Sequence, residues 1–215
     1  MFTRIDYKWI AISVIAVGLF AGVSDFQGMV VALPTIADHF KTDLRIIQWV
    51  VVGYSLTITT LLLPMGRLGD IVGRKRIYVL GFVGFVTAGF AAGSSSSVEF
   101  LIGAKMVQGI GSAMTQGTAM AIVIRSFPEQ ERGKALGIQM SVVGVGGIAG
   151  PLMAGFLIAS FDWPSVFYTT SGLGLIAAVA ALFVLKSSDG GTNRGTPARF
   201  DWPGALLSAG TLTAF

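Results

Sequence analysis

The chain has 215 residues, 53% of them apolar and only 12% charged, with a mean hydropathy of +0.75. Soluble globular domains carry about 25% charged residues, so this composition excludes one and makes lipid the solvent of the fold. A net charge of +4 without cysteine reads as membrane topology, because the cations sit in short loops between apolar runs; it implies no nucleic-acid partner, disulfide, thiolate metal site or cysteine nucleophile.

Residues 1–8 are a short basic lead with Arg4 and Lys8. The apolar run 9–33 behind it is far longer than the roughly 7–15-residue core of a signal peptide, so it is expected to stay as an anchored first span. A polar loop is expected over residues 34–45, where His39 reads as a solvated loop residue rather than a ligand or base. Further apolar runs predict spans over 46–65, 77–93, 98–124, 135–160 and 165–185. Each is long enough for about 30 Å of hydrocarbon, 77–93 only just. Residues 186–200, rich in Gly, Ser, Thr and Pro, read as a cytoplasmic linker. The last apolar run, from Trp202 to Phe215, has 14 residues, about 21 Å of helix, which is too short to cross. Residues 201–215 are therefore expected to begin a truncated seventh span, and a missing carboxy-terminal half becomes an expected partner.

Orientation follows from the cations. The lead, residues 66–76, residues 125–134 and residues 186–199 hold twelve of the fifteen Lys and Arg residues, and the opposite loops hold only Lys41 and Arg45. The amino terminus is thus expected in the cytoplasm, with the protein multi-pass in the cell's inner membrane. Tyr7, Trp9, Trp49, Tyr78, Trp163 and Trp202 fall at predicted span ends and are expected to form interfacial belts.

Residues 66–78 read G-R-L-G-D-I-V-G-R-K-R-I-Y, with glycines, an aspartate and cations between two apolar runs. A positive-inside turn needs only Lys and Arg; it does not need Gly66, Gly69, Asp70, Gly73, Arg74 and Lys75 at fixed offsets. This order resembles the signature loop between helices 2 and 3 of the major facilitator superfamily of secondary transporters, with Ile71 where the family often has a cation. Residues 101–114, L-I-G-A-K-M-V-Q-G-I-G-S-A-M, resemble the family's helix 4 motif, with Lys105 in place of arginine and Gln108 opening Gln-Gly-x-Gly. Residues 127–137 resemble its cytoplasmic exit from helix 4. Residues 146–155, G-G-I-A-G-P-L-M-A-G, resemble the antiporter motif of helix 5, with Gly146, Gly150, Pro151 and Gly155 in place and Ala154 where glycine is usual. Together these motifs cover nearly all of the chain. The resemblance implies an all-α membrane protein: a six-helix amino-terminal bundle built as a 3+3 inverted repeat, plus the start of a seventh helix.

Two ionisable residues lie inside predicted spans. Asp25 is nine residues before Pro34 and Lys105 seven after Val98, about 13 Å and about 10 Å along their helices, so they share a depth. A charge at a helix centre costs at least about 2.5–3.5 kcal/mol on insertion scales, so each is expected to face a partner or a watery cavity. The superfamily resemblance makes their helices equivalent members of two inverted repeats lining one cavity, which allows them to meet. Asp25 is the expected proton carrier, because burial opposes its charge, a neighbouring lysine favours it, and cavity wetting can shift the balance. A permanent salt bridge between the first and fourth spans is the structural alternative. The pattern D-x-x-x-x-x-x-A-L-P from Asp25 resembles the helix 1 motif of the fourteen-helix drug:proton antiporters, with Gln27 and Val30 where that branch shows Thr and Asn. D-W-P-G-A-L-L at 201–207 resembles the start of that branch's extra helix pair.

By resemblance, Asp70 and Arg74 join a cytoplasmic charge network that latches the two halves; locally, Asp70 also reads as an anion near a helix end. The glycines and Pro151 of the fifth span allow bending and close approach by a neighbour, and by resemblance favour antiport. The expected function is a proton-coupled efflux antiporter of lipophilic or cationic toxic compounds, with small molecule, protons and lipid as partners. It is driven by the proton gradient, without cofactor or metal. A metabolite porter is one alternative; a non-transporting membrane fragment or half-size interaction protein is another. An intramembrane enzyme would need Ser with His, or paired carboxylates, at membrane depth, and the sequence places neither there.

Overall fold

A computed structural model describes residues 7–185; the expected linker, the seventh-span start and Trp202 lie outside the described residues. The described residues form helices and short connections: α1 (Tyr7–Phe40), α2 (Leu44–Ile47), α3 (Trp49–Val72), α4 (Arg74–Gly93), α5 (Val98–Ser126), a 3₁₀ turn (Glu129–Glu131), α6 (Arg132–Phe161) and α7 (Pro164–Val184). Six are long, and α2 is a single turn leading into α3. Five of the long helices are long and apolar enough to cross a membrane. The other, α5, matches them with 29 residues but carries Glu99, Lys105, Gln108 and Gln116. Lys105 and Gln108 are buried in the bundle and Glu99 and Gln116 are exposed, so α5 owes its place to packing between α3 and α4 rather than to apolarity.

The helices pack as two interleaved sets of three. α1 runs along α6 and α7, while α5 runs along α3 and α4. Each set's first long helix thus lies between the second and third of the other set, as a two-fold repeat requires. Lipid offers no hydrophobic drive for helices to associate, so close backbone approach through small residues matters. At the α4–α5 crossing, a Cβ on Gly111 would stand 2.5 Å from both the Gly81 carbonyl oxygen and the Phe85 nitrogen. Large apolar side chains turn outward: Leu63, Ile148, Leu152 and Phe183 are all exposed.

Two buried clusters fill the ends of the bundle. One joins Ile12, Ile15, Tyr78, Phe82, Phe85 and Phe127. The other joins Met29, Ile36, Ile47, Tyr54, Trp163 and Phe167. Between them, on α1 and α5, lie Asp25 and Lys105.

Three expectations are corrected. Residues 34–45 are mostly helical rather than loop: α1 continues through Pro34 to Phe40. The hydrogen bond lost at proline is offset by burial of Ile36 and Ala37 against Ile47 and Trp163. His39 consequently ends a helix, exposed, with its ring 5.5 Å from that of Trp163. The signature segment is likewise no extended loop. α3 runs to Val72, α4 starts at Arg74, and the reversal is confined to Gly73, whose φ of 114° suits glycine. Finally, Tyr78 and Trp163 are buried at 1% and 2% exposure, so they are core residues and not belts, whereas Trp49 is exposed as expected.

The basic end of the bundle is tied together. Lys8 Nζ meets Glu131 Oε2 at 2.8 Å, and Lys75 Nζ donates to the Leu182 carbonyl at 2.7 Å.

Candidate functional site

Asp25 and Lys105 meet. The Lys105 ammonium donates to Asp25 Oδ1 at 3.1 Å and to Oδ2 at 3.0 Å, and both side chains are 0% exposed. Thr170 Oγ1 of α7 donates to Asp25 Oδ1 at 2.8 Å. The site is therefore shared by α1, α5 and α7, and the carboxylate has a donor on each oxygen, which a buried charge requires. Aromatic faces enclose the lysine: its Nζ is 4.2 Å from the Phe167 ring centroid and 5.5 Å from that of Tyr54. Such faces attract a cation through the ring quadrupole, more strongly when water is excluded.

Tyr54 connects this pair to a cavity. Its hydroxyl lies 2.8 Å from Ser112 Oγ, and its ring stacks on Phe26 at 6.2 Å. Tyr54, Ser112 and Phe26 line a cavity of about 520 Å³ built by α1, α3, α4 and α5, with Val143 from α6. Asp25 and Lys105 are absent from that lining. Of the two expected arrangements, a partner or a watery cavity, the structure has the first, with the pair sealed behind the Tyr54 ring. On α5 the lining runs from Ser112 to Ala119, between Lys105 and the basic end, so the cavity lies on the basic side of the pair.

The structure separates the two glutamines. Gln27 lines the cavity. Gln108 is 0% exposed and lies between helices, where Gly89 of α4 leaves room for its amide and for the Ser171 hydroxyl of α7. Neither that amide nor that hydroxyl has a hydrogen-bond partner among the described residues.

The signature residues do structural work at the basic end. A Cβ on Gly66 would be 3.2 Å from the Gly117 carbonyl oxygen of α5, so Gly66 lets α3 and α5 touch. Asp70 Oδ1 accepts from Arg74 Nε at 2.9 Å and lies 2.7 Å from Nη2 in an ion pair, while Arg74 Nη1 donates to the Ala121 carbonyl at 3.0 Å. Arg74 thus joins α3, α4 and the end of α5. In α6, Gly146 abuts Val23, and Gly150 abuts Ser24 and Gln27, beside Asp25. Pro151 is accommodated within an unbroken helix. Gly155 has no atom within 4 Å of its Cβ position and is exposed, so it is not part of that contact.

Thr170, Tyr54 and Ser112 were not anticipated as site residues. A depth count places polar residues near the pair but does not choose among neighbours on one turn. Thr170 lies six residues past Pro164 in a T-T-S run, and Tyr54 five past Trp49, both well inside apolar segments.

The Major Facilitator Superfamily profile matches residues 13–214. The riboflavin transporter RibZ of Clostridioides difficile is 38% identical over 207 residues, which is 96% of this chain and 44% of that protein. The tetracenomycin C resistance and export protein of Streptomyces glaucescens is 31% identical, across 95% of this chain and 37% of that protein. The multidrug resistance protein Stp of Mycobacterium tuberculosis is 33% identical, across 88% and 35% respectively. The chain thus spans less than half the length of these relatives.

Proposed function

The chain belongs to the Major Facilitator Superfamily of transporters, a multi-pass integral membrane protein, and from that premise we propose that it is the proton-handling amino-terminal portion of an efflux antiporter. Its cargo is lipophilic or cationic toxic compounds, exchanged for protons by alternating access. The reading is supported by relatives named for drug resistance and export. The observation that carries it is the Asp25–Lys105 pair, wholly buried yet bordering a cavity through one aromatic ring.

At the observed 3.0 Å separation and an effective dielectric near 20, the pair's attraction is on the order of 5 kcal/mol. Protonating Asp25 removes that attraction and leaves the Lys105 ammonium buried beside a neutral acid, which strongly disfavours the sealed packing. A change of about 5.5 kcal/mol moves a two-state equilibrium from 1:99 to 99:1, so one proton suffices to drive the carrier between closed and hydrated states. The proton gradient supplies the work, with no cofactor. Gln27 faces cargo in the cavity, and Gln108 packs behind the pair. The basic end lies in the cytoplasm of an inner-membrane protein, where the cavity takes up cargo. Asp70 and Arg74 latch this bundle to the other half, and the Gly146–Gly150 face lets α6 slide against α1 beside Asp25.

The test is pH-jumped efflux by the full-length protein in vesicles. Asp25→Asn is expected to abolish proton-driven efflux while leaving membrane insertion intact; normal efflux would remove Asp25 from the mechanism. A metabolite porter is the second reading, favoured by the 38% identity to a protein named as a riboflavin transporter. Efflux of metabolites but not of drugs and dyes in the same vesicles would decide for it. Vesicles holding residues 1–215 alone are expected to show no flux, because rocking needs two bundles.

A further inference from the structure

We infer that the cavity wall built by this chain selects neutral, planar, fused-ring compounds bearing carbonyl and amide groups, and disfavours organic cations. The inference rests on the reading of this cavity as the transport site, and it concerns what the site recognises.

Among the described residues, the lining contains no Asp, Glu, Lys, Arg or His. Its polar groups are the amides of Gln27 and Gln116 and the hydroxyls of Tyr54, Tyr78, Ser55, Thr59, Ser112 and Thr115. These donate and accept hydrogen bonds but bring no charge. The remaining wall is apolar and aromatic, including Phe26 stacked on Tyr54 with 24° between the ring planes. Phe26, backed by the buried Tyr54 ring, offers a stacking face to a planar ligand. A volume of about 520 Å³ lies within the range that holds a drug-sized molecule.

The acid that a cation would seek is withdrawn. Both Asp25 oxygens are occupied by Lys105 and one also by Thr170, and the carboxylate is 0% exposed. At Tyr54, the lining ring nearest the pair, the aromatic attraction is already in use. Tyr54 already has the Lys105 ammonium over its ring at 5.5 Å, so a second cation nearby meets a ring whose quadrupole is engaged. A neutral ring system pays neither cost, and its carbonyl and N–H edges match Gln27 on α1 and Gln116 on α5. In this arrangement the buried pair senses protons, and cargo charge is not read by it.

Equilibrium binding to the full-length protein in nanodiscs tests this with two fluorescent planar tricyclic probes, neutral lumiflavin and cationic ethidium. Lumiflavin is expected to bind more tightly by about ten-fold or more. Gln116 is exposed, so Gln116→Leu is tolerated structurally; it should weaken lumiflavin about three- to ten-fold and leave ethidium unchanged. Ser55→Asp, which puts an acid on the wall, should reverse the preference. Equal or tighter ethidium binding by the unaltered protein, or lumiflavin affinity indifferent to Gln116→Leu, would overturn the inference. Proton-driven flux is scored separately on the same preparation. Ethidium preference with flux sinks the selectivity and leaves antiport standing, whereas lumiflavin preference without flux sinks antiport and leaves the selectivity.

Discussion

The hydroxyls of Tyr54 and Ser112 lie 2.8 Å apart across α3 and α5, and that contact holds a phenol ring between the cavity and the Lys105 ammonium. One neutral hydrogen bond contributes only about 0.5–1.5 kcal/mol, so burial of the ring in its apolar cluster holds the seal and the bond orients it. Opening it exposes a charge pair whose separation is costly.

The seal can be tested directly. Tyr54→Ala should let a carbodiimide reach Asp25 faster than in the unaltered protein, and Tyr54→Phe, which deletes only the bond to Ser112, should give an intermediate rate. An unchanged labelling rate in Tyr54→Ala would mean that another group shields the acid.

The charge pair makes an asymmetric prediction for stability. Lys105→Met leaves the Asp25 carboxylate without its cation, and Asp25→Asn leaves the ammonium without its anion; breaking a buried pair this way costs about 3–5 kcal/mol. The double variant, which restores neutrality, should recover most of that loss. Thermal unfolding in detergent reads it, and additive losses in the double variant would mean that the two charges are not coupled. Lys105→Arg keeps the charge but not the compact ammonium enclosed by Phe167 and Tyr54. It should impair pH-driven efflux if the lysine takes part in the proton cycle, and unchanged efflux would leave it as counter-charge.

Helix crossing predicts which glycines tolerate a methyl group. Gly111→Ala drives a Cβ into the α4 backbone at Gly81 and Phe85, and the backbone cannot rotate away, so a loss of about 1–3 kcal/mol is expected. Gly103 on the same helix meets nothing within 4 Å, and Gly103→Ala should be neutral or slightly stabilising. Melting curves that rank the two the other way would contradict the α4–α5 packing.

Topology is open to labelling because the sequence has no cysteine. Arg76 and Asp43 are both exposed and lie at opposite ends of the bundle. A membrane-impermeant maleimide applied to intact cells should label Asp43→Cys, and should label Arg76→Cys only after permeabilisation. The reverse pattern would invert the proposed orientation and place the cavity's basic end outside.

Much of this protein is decided by position along the chain. Apolar run length sets how many helices can cross, cation placement gathers the basic ends, and counting from Pro34 and Val98 gives Asp25 and Lys105 one depth, although α1 runs past Pro34 to Phe40. Depth can be counted because a helix advances a constant amount per residue. Rotation about the helix axis cannot be counted in the same way. In lipid both faces of a span are apolar, so the periodicity that marks the inward face of a soluble helix is weak here. Only packing decided that Asp25 turns to a lysine 80 residues away and a threonine 145 residues away, that Gln27 faces the cavity while Gln108 does not, and that Tyr54 stands between charge and cargo. Packing also carried α1 past Pro34 and drew Tyr78 and Trp163 inward, because burial against neighbouring helices outweighs a local preference for a loop or an interface.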